Sequence, residues 1–359
     1  MIFYTSDKVI IDFRGSLESI INQYENLYKD HCPDWQKKIF EVIIDFKSNE
    51  SFEIKTSGTT SASKTILAKK EHLLASATKT NNFFKLQTGN SSLLCMNPSF
   101  IGGKMMIIRA IERQLKLVCI QAKSSSIEHL EEGIDFTAMV PMQVDYILKH
   151  APDQLKLCKK IIIGGGTIKQ QAIDKLCQLG VNTYSTFGMT ETYSHIALQE
   201  LSPNKSSLYE LVDGVSISSN QNQCLQISAP HLGIDFLETK DIVEIFSQGF
   251  MWRGRFDDMI NSGGVKIFPE EIERKAQTLI KNEFIISSLP DEKLGEKVIL
   301  IIEGYQEETN QDLQQALKNV LPKYHDPKSI FYLPEFPRTL TNKIKRKDVR
   351  QLLIDGLTS

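Results

Sequence analysis

No stretch of this sequence approaches the roughly 20 consecutive apolar residues that a membrane-spanning helix requires. The opening residues Met1-Ile-Phe-Tyr-Thr-Ser-Asp lack a basic region followed by an apolar run, so no secretory leader is expected, no membrane insertion either, and the location is read as cytoplasmic. An excess of one charge is also missing: 42 Lys and Arg face 44 Asp and Glu. A nearly neutral field gives no reason to expect nucleic acid or an anionic membrane as a partner, and any anion binding must be local. The six cysteines, Cys32, Cys95, Cys119, Cys158, Cys177 and Cys224, show neither CxxC nor Cys/His spacing. They read as buried thiols, without a zinc site or a catalytic cysteine. Internal repeats and low-complexity segments are absent.

What is present is the composition of an ordinary globular chain, 41% hydrophobic and 24% charged over 359 residues. That length exceeds what one core serves well and suits two domains of unequal size. Helical periodicity marks Ser16–Leu27 and Asp34–Phe46. From Phe52 onward short apolar runs (Leu93–Met96, Leu115–Ile120, Phe136–Val140, Ile161–Ile163, Val181–Ser185) alternate with helical segments (Glu71–Phe84, Pro141–Lys149, Lys169–Leu179). The alternation predicts an α/β fold of sheets with flanking helices. Brief strands at Val215–Ser218, Leu225–Ser228 and Ile242–Ile245 predict a small β-rich subdomain, and beyond Trp252 a small α+β domain is expected. The change of composition and the glycines near Arg255–Asp258 put the boundary there, giving a large domain over 1–255 and a small one over 256–359.

Four strings carry chemistry. Lys55-Thr56-Ser57-Gly58-Thr59-Thr60-Ser61-Ala62-Ser63-Lys64 follows a predicted strand and offers hydroxyls, backbone N–H groups and lysine charge to phosphate oxygens, without the GxxxxGK spacing of a Walker loop. The same composition also suits a flexible surface loop. Phe187-Gly188-Met189-Thr190-Glu191 sets a hydroxyl beside a carboxylate at a strand end, suited to a phosphate contact and a magnesium ligand, or equally to the start of a helix. Asp241, and the run from Gly254-Arg255-Phe256-Asp257-Asp258 through Gly263-Gly264 to Glu270-Glu271-Ile272-Glu273, suit ribose binding or a solvated turn and an acidic helix start. Pro337-Arg338-Thr339-Leu340-Thr341-Asn342-Lys343-Ile344-Lys345-Arg346 is a basic segment that composition alone would leave as a solvated face.

Taken together these strings resemble the motifs of the adenylate-forming superfamily of acyl-CoA synthetases, adenylation domains and luciferases. The first is similar to [ST]SGTTGxPK, with Ser61 and Ser63 in place of Gly and Pro; the second to YGxTE; the third to GRxDDxIxxxGxxIxxxEIE; the fourth to PxTxxGKIxR, with Asn342 for Gly. The resemblance implies ATP, Mg²⁺ and coenzyme A as ligands and a small mobile C-terminal domain. Thr56, Ser57, Gly58, Thr59, Thr60 and Lys64 would cradle phosphate, Gly164, Gly165 and Gly166 would line the adenine pocket next to Gly188, and Phe187 would stack on the base. It also implies that Thr190 meets the α-phosphate, Glu191 holds the metal, Asp241 and Arg255 hold the ribose, Asp257 is the hinge, Gly264 lines the thiol tunnel, and Lys343 bridges carboxylate and α-phosphate.

Two further stretches, Pro98–Ala110 and Thr190–Leu198, resemble segments of the o-succinylbenzoate–CoA ligases of menaquinone biosynthesis. The implied substrate carries a second carboxylate, for which Lys104, Arg109 and His195 are candidate partners, each with a structural role as its alternative. Another aryl- or short-acyl-CoA ligase, or a nucleotide-binding protein of the same fold without activity, stays open. The region before the phosphate loop is short by comparison with the superfamily, which leaves part of the substrate wall absent or supplied by a second subunit, as in a homodimer.

Overall fold

Three consecutive isoleucines, Ile161–Ile163, form a strand with every residue buried, which is how a strand reads when helices cover both faces of its sheet. The computed structural model describes residues 1–5, 7–55, 65–203, 207–306, 310–339 and 342–358. In chain order the first elements are β1 (Ile2–Tyr4), β2 (Lys8–Asp12), α1 (Leu17–Leu27), α2 (Asp34–Ser48), β3 (Ser51–Lys55), β4 (Thr65–Lys69), α3 (Lys70–Phe83), β5 (Ser91–Leu94), α4 (Ile101–Arg113) and β6 (Lys116–Ile120). There follow β7 (Phe136–Met139), α5 (Pro141–His150), β8 (Ile161–Ile163), α6 (Gln170–Leu179), β9 (Thr183–Gly188), β10 (His195–Glu200) and β11 (Glu210–Leu211). A nine-stranded sheet runs β1-β2-β6-β5-β7-β8-β9-β10-β11. Its centre, β6 to β9, is parallel, and antiparallel pairs extend it at both sides.

Helices cover both faces of that sheet. One core joins the apolar stripes of α1, α2 and α4, including Ile20, Phe40, Ile43, Met106 and Ile107. The other joins α5 and α6 through Val144, Ile147, Leu148, Ala172 and Leu176. Local chemistry sets the helix starts: the Ser16 hydroxyl caps α1 by accepting from the Ser19 amide at 3.2 Å, and Pro141 opens α5, where a missing N–H costs nothing.

The remaining elements are β12 (Ser216–Ser219), β13 (Cys224–Ala229), β14 (Ile234–Phe246), β15 (Gly249–Arg255), β16 (Ile260–Ser262), β17 (Val265–Ile267), α7 (Pro269–Ala276), β18 (Phe284–Asp291), β19 (Gly295–Glu303), α8 (Asn310–Val320), β20 (Ser329–Leu333) and α9 (Arg346–Thr358). One sheet has the order β12-β13-β14-β15; another runs β17-β16-β19-β18 with β20 parallel to β19. Alternation along β19 divides its side chains, Val298, Leu300 and Ile302 joining the core under α7 and α8 while Ile299 and Ile301 join Val349 and Leu353 of α9.

The described residues gather into two compact units, one within 1–56, 64–217 and 227–237, the other within 218–226 and 238–359. Asp241 and Arg255 belong to the second unit, together with everything that follows them. The α/β class, the large multi-stranded sheet with its helices and the smaller C-terminal body are as the sequence predicts. The structure adds elements that periodicity alone does not reveal, namely β1 and β2 ahead of the first helix, α4, and α9 under the basic C-terminal segment.

Candidate active site

The parallel strands place their carboxyl ends, and the turns that follow, along one edge, where open α/β sheets bind ligands. Gly164, Gly165 and Gly166 follow β8 there, and β9 ends at Phe187 and Gly188. Gly188 pairs with His195 of β10, and a Cβ on it would fall 2.2 Å from the Ser194 carbonyl oxygen, so only glycine lets the strands approach at this point. Thr190, Glu191 and Thr192 form a short 3-10 turn rather than a full helix, closed by the Thr192 hydroxyl, which accepts from the Met189 amide at 3.0 Å. Glu191 is exposed on it. Phe187 is half-buried, its ring 5.6 Å from that of Tyr209.

On the α3/α4 side of the same unit a second group of residues converges. Arg109 of α4 is 2% exposed; its Nη2 donates to the Ser194 hydroxyl at 2.6 Å, and its buried Nε has no partner. Among the described residues no carboxylate pairs with it, and burial pulls its pKa down to about 10. His195 is also buried, with Nδ1 3.3 Å from the Ser194 hydroxyl and Nε2 3.3 Å from Thr80 of α3. Burial, and then the Arg109 charge, push it down to about 3, so the imidazole is neutral. Lys104 of α4 lies apart, its Nζ over the Phe52 ring at 5.6 Å, and burial lowers its pKa. The structure therefore brings Arg109 and His195 together and places the Lys104 ammonium over Phe52.

The second unit assembles its own group. Asp241 of β14 stands opposite Arg255 of β15 in the ladder, with Oδ2 3.7 Å from the guanidinium, and its Oδ1 accepts from the Trp252 indole at 2.9 Å. Asp257 is held by Lys240 at 2.8 Å and lies 4.0 Å from Arg255. Gly264 sits in the turn between β16 and β17. Asn342 takes a φ of 62°, in the left-handed region asparagine tolerates, and the Lys343 amide donates to the Thr339 hydroxyl at 3.0 Å. Lys343 is an exposed residue, and desolvation, then the Arg255 charge, hold its pKa below the ordinary lysine value. Two cations thus repel each other, with an acidic partner among the described residues for only one, an arrangement that an anionic ligand would relieve.

Thr56, Ser57, Gly58, Thr59, Thr60 and Lys64 lie outside the described residues. The donor set of the described residues fits nucleotide and metal in chemical type: a carboxylate and a guanidinium for hydroxyls, and the exposed carboxylate of Glu191 for Mg²⁺. No group of three or more His, Cys, Asp or Glu among the described residues could hold a metal alone, so a divalent ion would share Glu191 with phosphate oxygens, as Mg²⁺ commonly does. Burial raises the thiols of Cys95, to about 11, and Cys158, to about 12, which leaves them poor nucleophiles at neutral pH. Sequence reasoning gave no role to Trp252, Tyr209 or Ser194, although Ser194 lies within the stretch Thr190–Leu198 and Trp252 three residues before Arg255.

Comparison with known proteins follows the same direction. The family described as "AMP-binding enzyme" matches residues 48–218. The 2-succinylbenzoate–CoA ligase of Lactococcus lactis is 28% identical over 73% of this chain and 62% of its own length, and that of Bacillus cytotoxicus 23% identical over 84% and 69%. The chain thus spans less than two thirds of the Lactococcus relative. Among solved structures, an acyl-CoA synthetase (AMP-forming)/AMP-acid ligase II-like protein from Dyadobacter fermentans is 30% identical, with a TM-score of 0.62 and 98% and 100% of the two chains covered. O-succinylbenzoate coenzyme A synthetase of Bacillus subtilis, in complex with ATP and magnesium, shares the fold at a TM-score of 0.75 and 18% identity, over 95% of this chain and 83% of that one. Similarity to a solved protein along its whole length, the match to the AMP-binding enzymes and the shared fold together establish that this chain belongs to the adenylate-forming family of AMP-binding enzymes.

Proposed function

We propose that the protein is an ATP-dependent acid–CoA ligase that makes an acyl-adenylate with release of pyrophosphate and then a CoA thioester, and that its acid is o-succinylbenzoate. The observation that carries the reading is the convergence of Asp241, Arg255 and Lys343, which three separate segments bring into one unit as an acceptor for hydroxyls beside two cations. A carboxylate is a poor acyl donor until its oxygen becomes part of a good leaving group, and attack on the α-phosphorus of ATP achieves that. In this reading Lys343 bridges the substrate carboxylate and the α-phosphate, opposing the repulsion between two anions, while Thr190 donates to the α-phosphate. Asp241 and Arg255 orient the ribose, Phe187 stacks on the base with Gly164, Gly165, Gly166 and Gly188 beside it, and the Thr56–Lys64 loop holds the outer phosphates. Bound at Glu191, Mg²⁺ would supply charge neutralisation at the phosphates. Asp257 is the proposed pivot of a mobile small domain over 256–359, and Gly264 belongs to the path of the thiol.

For the acid, the buried guanidinium of Arg109, which meets no carboxylate among the described residues and leaves its Nε without a partner, supports a substrate with a second carboxylate, because a fixed, desolvated charge selects a ligand that brings a counter-ion. Neutral His195 and Ser194 hold that guanidinium in place. The 2-succinylbenzoate ligases among the relatives favour the same acid. Incubation with ATP, Mg²⁺, CoA and a panel of acids tests the reading: AMP and the CoA thioester are expected from o-succinylbenzoate. Good turnover of benzoate or a fatty acid with none of o-succinylbenzoate would remove the substrate assignment, and no pyrophosphate release with any acid would remove the ligase.

A further inference from the structure

Tyr209 belongs to none of the strings described above, yet two contacts tie it to β9. Its hydroxyl lies 2.9 Å from the Ser185 hydroxyl, and its ring centroid lies 5.6 Å from that of Phe187, the planes inclined at 59°. Ser185 and Phe187 are two apart on β9 and so share one face. Tyr209 immediately precedes β11, which is separated from β9 by β10. At about 4.8 Å per strand its side chain must lean back across the intervening strand. On β10, Ala197 stands opposite Phe187 and Gln199 opposite Ser185.

We propose that Tyr209 is a positioning residue that fixes the plane of the Phe187 ring for the nucleobase of ATP. The inference rests on the reading of Phe187 as the base-stacking ring and extends it. Tyr209 is pinned at its hydroxyl end by Ser185 and meets Phe187 with its ring, in the inclined geometry that aromatic quadrupoles prefer to a face-to-face sandwich. A Phe187 ring ordered before the ligand arrives loses less rotamer freedom on binding, and that difference becomes affinity.

Calorimetric titration of the full chain with Mg·ATP, and separately with Mg·inorganic triphosphate, tests this in Tyr209→Leu, Phe187→Leu, the double variant and Tyr209→Phe. Each single leucine variant is expected to weaken ATP roughly three- to tenfold, as an aromatic pair allows. The double variant should be no weaker than Phe187→Leu alone, triphosphate should bind unchanged throughout, and Tyr209→Phe, which keeps the ring, should recover at least part of the loss. Additive losses, an equal loss of triphosphate binding, or no recovery in Tyr209→Phe would overturn the proposal. If Phe187→Leu weakens ATP while Tyr209→Leu does not, Tyr209 alone is misassigned; if Phe187→Leu leaves ATP affinity unchanged, the stacking role of Phe187 fails first and the proposal with it.

Discussion

Glu270→Gln should stabilise the second unit strongly at alkaline pH and much less at pH 5. Glu270 enters α7 beneath Gly254, so closely that a Cβ on that glycine would lie 2.5 Å from its Oε2, and this oxygen is buried without a partner. Burial is the main cause of a pKa raised from 4.5 to about 7; Glu273 and Asp258 add to the rise, and the Arg346 charge opposes it. The native state therefore keeps a proton that the unfolded chain has already lost between these values. Stability from this group is complete below pH 4.5 and declines as pH rises through about 7, by about 3 kcal/mol in all. Glutamine imitates the protonated acid in shape and cannot ionise. At pH 8.5 the variant should be more stable by up to about 3 kcal/mol, and at pH 5 by less than about 1 kcal/mol. Trp252 lies in this unit and Trp35 in the other, and the sequence has two tryptophans. Urea unfolding followed by fluorescence in a Trp35→Phe background thus reads the relevant unit. A difference between variant and parent that stays constant from pH 5 to 8.5 would refute the reasoning.

Lys343→Ala should lower adenylate formation by 10² or more, the scale of a lost transition-state charge contact, while sparing thioester formation from preformed adenylate; equal loss in both half-reactions would count against its role. His195, pushed down to about 3, should show no ring titration by NMR between pH 5 and 8, and the stability it contributes, complete above pH 6.5, should fall only as the solution becomes more acidic. A histidine resonance from this residue titrating near pH 6.5 would contradict the buried neutral ring. In native protein at pH 8, alkylation should reach the partly exposed Cys177 well before Cys95 or Cys158, and mass spectrometry of the modified peptides gives the order.

What was legible in the sequence was what is encoded over a few neighbouring residues. The Thr190–Glu191 turn, the run from Gly254 to Glu273 and the Lys343 segment are local strings, and the amphipathic helices α1, α2 and α6 announce themselves by spacing. α4 does not, because Met105, Met106, Ile107, Ile108, Arg109 and Ala110 are all buried and a helix covered on most sides loses its two-faced pattern. β14 begins well before the predicted Ile242; its first five residues, Ile234 to Glu238, are exposed or only partly buried and so carry no buried stripe to read. The ladder opposes Asp241 to Arg255 through a register that includes an irregularity at Ile242/Val243, which spacing along the chain cannot give. Tyr209 and Ser194 acquire meaning only from strand order, since their partners come from β9 and α4.

Arg109 and Glu270 share one signature, a buried ionisable group with an unpartnered polar atom, and the two costs have different origins that linkage separates. If Arg109 is retained for a ligand, its replacement by a methionine of similar length should leave the apo protein as stable as the parent or more so, since exchanging a buried charge for well-packed apolar atoms is often neutral or favourable by about 1–4 kcal/mol. The same change should weaken a dicarboxylate by about 2–4 kcal/mol, the cost of losing a desolvated charge partner, and barely affect a monocarboxylate of the same ring. A ligand at 100 times its dissociation constant stabilises the native state by about 2.7 kcal/mol. o-Succinylbenzoate at that excess should thus raise the melting temperature of the parent by several degrees, and at the same concentration it should scarcely shift Arg109→Met, whose apo transition is already as high. Should the methionine variant melt far below the parent without ligand yet bind both acids equally well, the guanidinium is a structural element of the α3/α4 layer, and the second carboxylate must be held elsewhere.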